Sequence, residues 1–128
     1  MPIYKAPLRD MQFTLNEVLE ANTFWQNTPK LSHVDGDTVN AILEAMAQFS
    51  EDILLPINRS GDEEGCTFNN GVVTVPAGFK EAFKQYAEGG WIGLGAEEEF
   101  GGQSMPKMLT VLTDEMLFAT NPSFTLYP

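Results

Sequence analysis

The sequence predicts an all-α fold, an up-and-down bundle of about four helices with a small β-hairpin. Four segments place apolar residues three and four positions apart, which is the spacing of one helix face. Between the second and third segments lies an Asn-Gly pair flanked by β-branched residues, which is typical of a hairpin. The glycine-rich stretch from Gly89 to Pro106 predicts a tight connection between the last two helices.

The first helix is predicted to begin at about Leu8 and to fade by Asn22. Its apolar positions fall on one stripe, which consists of Leu8, Met11, Leu15, Val18 and Leu19. The next segment, from Thr23 to Pro29, is predicted to be a turn. Its two aromatic residues, Phe24 and Trp25, are expected to pin the first helix onto its neighbour.

A long second helix is predicted to follow, with Asp37 as its expected N-cap. Its apolar stripe fits about five helical turns and consists of Val39, Ile42, Leu43, Met46, Phe49, Ile53, Leu54 and Ile57. Pro56 interrupts the stripe, because proline lacks a backbone donor and clashes with the carbonyl of Asp52. We therefore expect a kink, or a helix end between Leu55 and Arg59, followed by a polar loop over Ser60–Gly65.

A hairpin is predicted over Thr67–Val75, with its turn at Asn70 and Gly71. Such a short hairpin is not stable alone, so we expect it to lie on the helices as a flap. The third helix is predicted to open at Pro76 and to end at Gly89. Its apolar positions are Phe79, Ala82, Phe83, Tyr86 and Ala87.

The fourth helix is predicted to begin at Ser104 and Pro106 and to stop at Asn121-Pro122. One face consists of Met105, Met108, Leu109, Leu112, Met116 and Ala119. Further apolar residues lie off this face, so we expect neighbours on several sides. Residues 123–128 are apolar and are typical of the start of a further element, which predicts that the chain is a piece of something larger.

The formal net charge of the 128 residues is -11, from 18 acidic and 7 basic side chains. Such a surface repels phosphate backbones and anionic lipids, so nucleic acids and membranes are not predicted partners. A bound polyanion is expected to be held by another part of the protein. No apolar run reaches the roughly 18 residues of a membrane helix. The opening residues lack a signal pattern, so a cytoplasmic location is predicted.

No catalytic or metal-binding residue is predicted. Cys66 is the only cysteine, which excludes an internal disulfide and a cysteine-based zinc site, and His33 is the only histidine. The side chains of Glu97–Glu99 are consecutive and diverge, which favours a solvated tip over a Ca²⁺ or Mg²⁺ site. Gly101–Ser104 precedes a helix and could cradle an anion, but it lacks a phosphate-binding pattern, so a structural turn is favoured.

Three motifs occur together in this chain, namely Gly89–Leu94, Glu99–Gln103 with Pro106, and Asp114–Leu117. Together they resemble the amino-terminal helical domain of acyl-CoA dehydrogenases. The opening Tyr4–Met11 and the segment Val75–Lys80 are similar to one bacterial branch of that family, in which a short extra segment precedes the domain. One departure is Ala96-Glu97-Glu98, where members often carry a proline.

The resemblance implies two parts, an extension over residues 1–34 with one helix, and the N-terminal domain over residues 35–128, truncated at its C-terminal end. Full-length members are FAD enzymes that remove hydrogens from the α and β carbons of an acyl-CoA thioester. Their catalytic glutamate and flavin-binding residues belong to later domains. The resemblance therefore implies that this piece is inactive alone and does not bind FAD by itself.

By the same resemblance, this region contributes part of the wall of the acyl pocket, through Phe124, Thr125 and Tyr127. Ordinary packing against further domains is an equally suitable interpretation of these three residues. The implied partners are the acyl-CoA substrate, a flavin-linked electron acceptor, the remaining domains, and further copies in a homo-oligomer. The alternative is a non-catalytic helical interaction or assembly module, which the apolar last residues and the Met-rich fourth helix favour.

Overall fold

The computed structural model of this chain describes residues 3–126. They form helices and one two-stranded antiparallel sheet, which confirms the predicted all-α class with a small hairpin. The helices are α1 (Leu8–Phe13), α2 (Ala21–Gln26), α3 (Gly36–Phe49), α4 (Leu55–Glu64), α5 (Phe79–Glu88), α6 (Lys107–Thr120) and α7 (Pro122–Thr125), and the strands are β1 (Thr67–Asn69) and β2 (Val72–Thr74). Within the described residues, no helix has the length and apolar character needed to cross a membrane.

The hydrophobic core is centred on the contact between α3 and α6. Its most deeply buried apolar side chains are Trp25, Val34, Val39, Leu43, Met46, Leu54, Leu109 and Met116. Burial of each large apolar side chain contributes roughly 1.5–3 kcal/mol. These two helices therefore form the support on which the remaining elements are placed.

The N-terminal segment contains more helix than predicted. After α1 the backbone widens into a π-helical turn over Thr14–Val18, and α2 then occupies much of the predicted turn. The assignment of Thr23–Gln26 to a turn is therefore wrong. Trp25 is fully buried, whereas Phe24 is half-exposed, because successive helical residues point in different directions. Of the two aromatic residues, only Trp25 pins this segment to the core.

Glu51 lies in a second π-helical turn, Ser50–Leu54, and holds the start of the chain. Its Oε2 accepts a hydrogen bond from Lys5 Nζ at 2.6 Å, and its Oε1 accepts one from the Ala6 amide at 2.9 Å. Burial disfavours the ionised carboxylate. The two hydrogen bonds and the charge of Lys5 outweigh burial, so the pKa of Glu51 lies below its usual value.

A Glu51→Gln variant should be less stable than the wild type by about 1 kcal/mol near neutral pH. Because the folded-state pKa of Glu51 is lowered, its contribution is fully present above the unfolded-state pKa of about 4.3 and is lost as the pH falls through the folded-state pKa. The difference between variant and wild type should therefore shrink in acid. Urea unfolding at several pH values measures it, and a difference that does not change with pH would contradict this role.

The N-cap of α3 is Asp35. The prediction of Asp37 is therefore wrong. Asp35 Oδ2 accepts from the Thr38 hydroxyl at 2.6 Å, and Oδ1 accepts from the Thr38 amide at 2.9 Å. These hydrogen bonds hold the pKa of Asp35 below its usual value. An N-cap needs an extended backbone, and Asp35 has it, with φ -117° and ψ 155°. Asp37 already lies in the first turn of the helix.

Replacement of the two aspartates should therefore have unequal effects. We expect Asp35→Ala to lower the Tm by a few degrees, because the Thr38 amide at the helix N-terminus loses its acceptor. Asp37→Ala serves as the matched control and should change the Tm much less. Thermal unfolding followed by circular dichroism measures both, and a larger loss for Asp37→Ala would disprove the assignment.

The helix around Pro56 continues, whereas the sequence predicted either a kink or a helix end there, and the helix end is the outcome that the structure excludes. In the π-helical turn that precedes it, the Leu55 amide donates to the Ser50 carbonyl five residues back. Helical geometry of the α type resumes at Leu55, so Pro56 lies in the first turn of α4, where no backbone donor is required. Since α4 reaches Glu64, the predicted helix end and the predicted loop over Ser60–Gly65 are wrong.

The hairpin has the predicted turn, because Asn70 and Gly71 both adopt left-handed backbone angles, with φ 49° and 81°. All six strand residues are exposed, as expected of a flap. The next helix, α5, begins at Phe79 and not at Pro76. Gly78 precedes it with a φ of 86°, which prevents a regular helix from starting earlier.

The glycine-rich connection between α5 and α6 is a structural turn, as predicted. Gly90 ends α5 with a φ of 76°, and a Cβ at Gly102 would overlap the carbonyl oxygen of Ala96. Glycine at this position therefore lets the two sides of the connection approach each other. Ser104 has a φ of 51° and lies outside α6, which begins at Lys107. The predicted helix start at Ser104 is wrong.

Candidate functional site

Asn121 fixes the short helix α7, which carries two of the predicted wall residues. Its side chain is fully buried, with Nδ2 donating to the Leu54 carbonyl at 3.2 Å and Oδ1 accepting from the Phe124 amide at 3.1 Å. The Asn121 carbonyl also accepts from Thr125 Oγ1 at 2.9 Å. One residue thus caps α7 and attaches it to the start of α4, so Phe124 and Thr125 are held in a fixed position.

Phe124 points into the domain and is only 5% exposed. Its ring centroid lies 5.7 Å from that of Tyr86, edge to face, and 6.3 Å from that of Phe79. Such tilted aromatic pairs stabilise packing beyond the area that they bury. Burial, and then the charge of Asp114, raise the pKa of the Tyr86 hydroxyl. Phe124 is therefore mainly a packing residue within these elements and presents only a small part of its surface outward.

The other two predicted wall residues differ from Phe124. Thr125 is half-buried, and its hydroxyl is engaged by the Asn121 carbonyl. Tyr127 lies outside the described residues. The sequence predicted a helix stop at Asn121-Pro122 and the start of a further element after it. It did not predict that Asn121 caps that element, although an asparagine before proline is a known combination of N-cap and first helical residue.

An apolar groove of about 460 Å³ lies between the hairpin, α5 and the start of α7. Its lining consists of Val73, Val75, Phe79, Lys80, Phe83, Ser123 and Phe124. Only Lys80 and Ser123 are polar, so the groove can hold apolar groups but offers no acid–base pair. The sequence did not predict it, because the groove requires α7, which is distant along the chain from the hairpin and α5.

Of the titratable residues that the sequence singled out, His33 and Glu97–Glu99 line one open pocket of about 620 Å³, whereas Cys66 is not among its lining residues. His33, Cys66 and Glu97–Glu99 are all exposed. Across residues 3–126, no three or more His, Cys, Asp or Glu side chains are grouped so that they could hold a metal ion. Four basic residues lie within 4.0 Å of a carboxylate, in the pairs Lys5–Glu51, Arg59–Glu63, Lys84–Glu88 and Lys107–Asp114.

Residues 36–128 match the family described as "Acyl-CoA dehydrogenase, N-terminal domain". The chain belongs to the acyl-CoA dehydrogenase family. The match includes every element from α3 to α7, and therefore both the groove and the helix that Asn121 holds. It confirms the resemblance that the glycine-rich motifs indicated.

Three curated acyl-CoA dehydrogenases are similar to almost the whole chain. They are the 3-methylmercaptopropionyl-CoA dehydrogenase of Ruegeria pomeroyi, 31% identical over 98% of this chain, the broad-specificity linear acyl-CoA dehydrogenase FadE5 of Mycobacterium tuberculosis, 29% identical over 99%, and the butyryl-CoA dehydrogenase of Syntrophomonas wolfei, 26% identical over 97%. The chain spans 21% of the length of each of these relatives. Most of each acyl-CoA dehydrogenase therefore lies outside the matched region.

Proposed function

We propose that the chain is the N-terminal helical domain of a flavin-dependent enzyme that removes hydrogens from the α and β carbons of an acyl-CoA thioester. The observation that carries this proposal is the family match over residues 36–128. The names of the three relatives are consistent with it, since each is an acyl-CoA dehydrogenase. In this proposal the domain is inactive alone, and the catalytic base lies in the part of the enzyme that follows.

Within that enzyme, Phe124 and Thr125 of α7, together with Tyr127, form part of the wall of the acyl pocket. Two observations support this role: Asn121 holds α7 rigidly, and an apolar groove lies beside it. Phe124 supports the wall by packing inside the domain. The half-buried side chain of Thr125 forms part of the surface of the wall. A fixed apolar surface orients an alkyl chain and excludes water from the reacting carbons.

The described residues do not fit the flavin or the phosphates of CoA. Phosphate groups bind to cationic side chains and helix N-termini, whereas this chain has a net charge of -11. Four of its basic residues are already close to carboxylates, and the apolar groove contributes only Lys80. FAD and the CoA phosphates are therefore assigned to other parts of the enzyme, and no step of the reaction is assigned to these residues.

The proposal extends to the organisation of the enzyme. Residues 1–34 are an extension added to the domain at residues 35–128, and this division is supported by the start of the family match at residue 36. The extension packs onto the core through Trp25 and is held by Glu51. The enzyme is assigned to the cytoplasm, passes electrons to a flavin-linked acceptor, and works as a homo-oligomer.

The full-length protein tests the proposed activity. We expect the purified enzyme to show a flavin absorption spectrum and to reduce an artificial dye with at least one acyl-CoA from a series of short, sulfur-containing and long linear thioesters. A colourless protein that reduces no dye with any of them would disprove the proposal. That second outcome is the one expected of the alternative, a non-catalytic helical interaction module.

A Thr125→Tyr variant of the full-length enzyme tests the wall. A bulky side chain at this position should lower kcat/KM for the longer acyl-CoA substrates by about tenfold or more, because it takes up space in the pocket. Thr23→Tyr, at an exposed position of α2, is the matched control and should leave kcat/KM unchanged. An equal effect of the two variants, or no effect of Thr125→Tyr on any substrate, would exclude Thr125 from the wall.

A further inference from the structure

A cavity of about 370 Å³ lies between α5, the glycine-rich connection and the first half of α6. Its volume lies within the roughly 300–1,000 Å³ of small-molecule sites, which combine an apolar lining with a few converging polar groups. The lining has both kinds of residue, the apolar Met46, Trp91 and Leu94 and the polar Tyr86, Lys107 and Asp114. None of these six residues lines the apolar groove beside α7.

Tyr86 contributes a hydrogen-bond donor to this cavity. The residue is only 7% exposed, and its ring centroid lies 5.9 Å from that of Phe49 and 5.7 Å from that of Phe124. Because these neighbours cover the ring, the hydroxyl is the part of the side chain that reaches the cavity. Burial, and then the nearby carboxylate of Asp114, raise the pKa of this hydroxyl, so it stays protonated and can donate a hydrogen bond.

Lys107 and Asp114 of α6 contribute two opposite charges to the same cavity. They lie about two helical turns apart and therefore on one side of the helix. Lys107 Nζ is 3.8 Å from Asp114 Oδ2, which is longer than a hydrogen bond. The two side chains are 79% and 51% exposed, so water weakens their attraction. Each charge therefore remains able to pair with an opposite charge on a ligand.

We infer that this cavity binds a small zwitterion with an apolar body, of which an α-amino acid with an aliphatic side chain is the simplest example. The ammonium group of the ligand pairs with Asp114. Its carboxylate pairs with Lys107 and accepts a hydrogen bond from the Tyr86 hydroxyl, while its apolar body lies against Trp91 and Leu94. The inference is independent of the proposed function, because no step of the proposed reaction is assigned to these residues.

Other classes of ligand fit this cavity less well. A simple anion would meet the charge of Asp114, and a simple cation would meet that of Lys107. An apolar molecule would cover both charges and the Tyr86 hydroxyl without replacing their hydrogen bonds to water. A metal ion lacks ligands, since no three His, Cys, Asp or Glu side chains of residues 3–126 are grouped to hold one. A zwitterion provides a partner for both charges and for the hydroxyl.

Isothermal titration calorimetry of the full-length enzyme with three probes of similar shape tests the inference. L-Leucine carries both charges, isoamylamine lacks the carboxylate, and isocaproate lacks the ammonium group. We expect leucine to bind saturably, and each of the other two to bind at least about tenfold more weakly, because each loses one charged contact. Failure of leucine to bind would overturn the proposal, and so would binding of isoamylamine or isocaproate that is as tight as that of leucine.

Two conservative variants of the full-length enzyme locate the bound leucine. Tyr86→Phe removes only a hydroxyl and Asp114→Asn removes only a charge, so both keep the packing of the side chain. Each should weaken leucine binding by about tenfold. Glu115→Gln is the matched control, since it removes a neighbouring carboxylate that is not part of the lining, and it should leave leucine binding unchanged. Unchanged binding in both conservative variants, or an equal loss in Glu115→Gln, would overturn the proposal.

A competition experiment separates this cavity from the proposed acyl pocket. Leucine should still bind when the enzyme is saturated with an acyl-CoA, because none of the six lining residues is assigned to the acyl pocket. Loss of leucine binding under these conditions would place the leucine in the acyl pocket and overturn the proposal. A colourless, inactive protein that binds leucine would disprove the proposed activity and retain the zwitterion site.

Discussion

A Trp25→Ala variant should lose about 3–5 kcal/mol of its free energy of unfolding. Trp25 has no exposed surface and packs in the core with the residues of α3. Its Nε1 has no hydrogen-bond partner within the part of the chain that the structure describes, so the indole acts through apolar contacts. This loss is a large fraction of the free energy of unfolding of a typical domain, which is roughly 5–15 kcal/mol.

The neighbouring residue is the control for this experiment. Phe24 is 51% exposed, so Phe24→Ala should change the free energy of unfolding by less than about 1 kcal/mol. Trp25→Phe should lose less than Trp25→Ala, since it keeps part of the apolar volume. Urea unfolding of the four proteins measures the differences. Similar losses for Phe24→Ala and Trp25→Ala would show that α2 is placed incorrectly.

An Asn121→Ala variant should lower the free energy of unfolding by about 2–4 kcal/mol. The change leaves the Leu54 carbonyl and the Phe124 amide without their partner in a buried place, at roughly 1–3 kcal/mol each. Hydrogen exchange should also show faster opening of α7, because both its cap and its attachment to α4 are lost. An unchanged stability would mean that Asn121 does not hold this helix.

Asn27→Ala is the matched control for Asn121→Ala. Asn27 Nδ2 also donates to a backbone carbonyl, that of Thr23, at 2.8 Å, but this hydrogen bond is exposed. Water can replace the lost donor there, so the expected change is below about 0.5 kcal/mol. The comparison thus separates the effect of burial from the effect of losing an asparagine.

Much of the fold could be predicted from local sequence, because its signals act over a few residues. Asn70-Gly71 specifies its turn, since both residues tolerate left-handed backbone angles. Gly90 ends α5 for the same reason. The family was also evident from motifs in one continuous stretch, and the match over residues 36–128 confirms it. The roles of Phe124, Thr125 and Tyr127 in an acyl pocket stay predictions.

The predictions of local structure that are wrong concern segments whose sequence allows two conformations, of which distant contacts select one. Asp35 and Asp37 are both good N-cap residues, and the backbone angles at Asp35 decide between them. Pro56 normally interrupts a helix, but the π-helical turn before it places the proline where it needs no donor. The segment from Thr23 to Gln26 becomes helical once Trp25 is buried.

The helical class, the hairpin, the glycine-rich connection and the family follow from local sequence, since each depends on residues that are close along the chain. The packing of the helices, in contrast, selects the aromatic residue that anchors the N-terminal segment, brings Asn121 to Leu54, and creates the apolar groove. These features need side chains from elements that are far apart in sequence. Their burial and their hydrogen bonds arise only when the helices pack, so no local pattern specifies them.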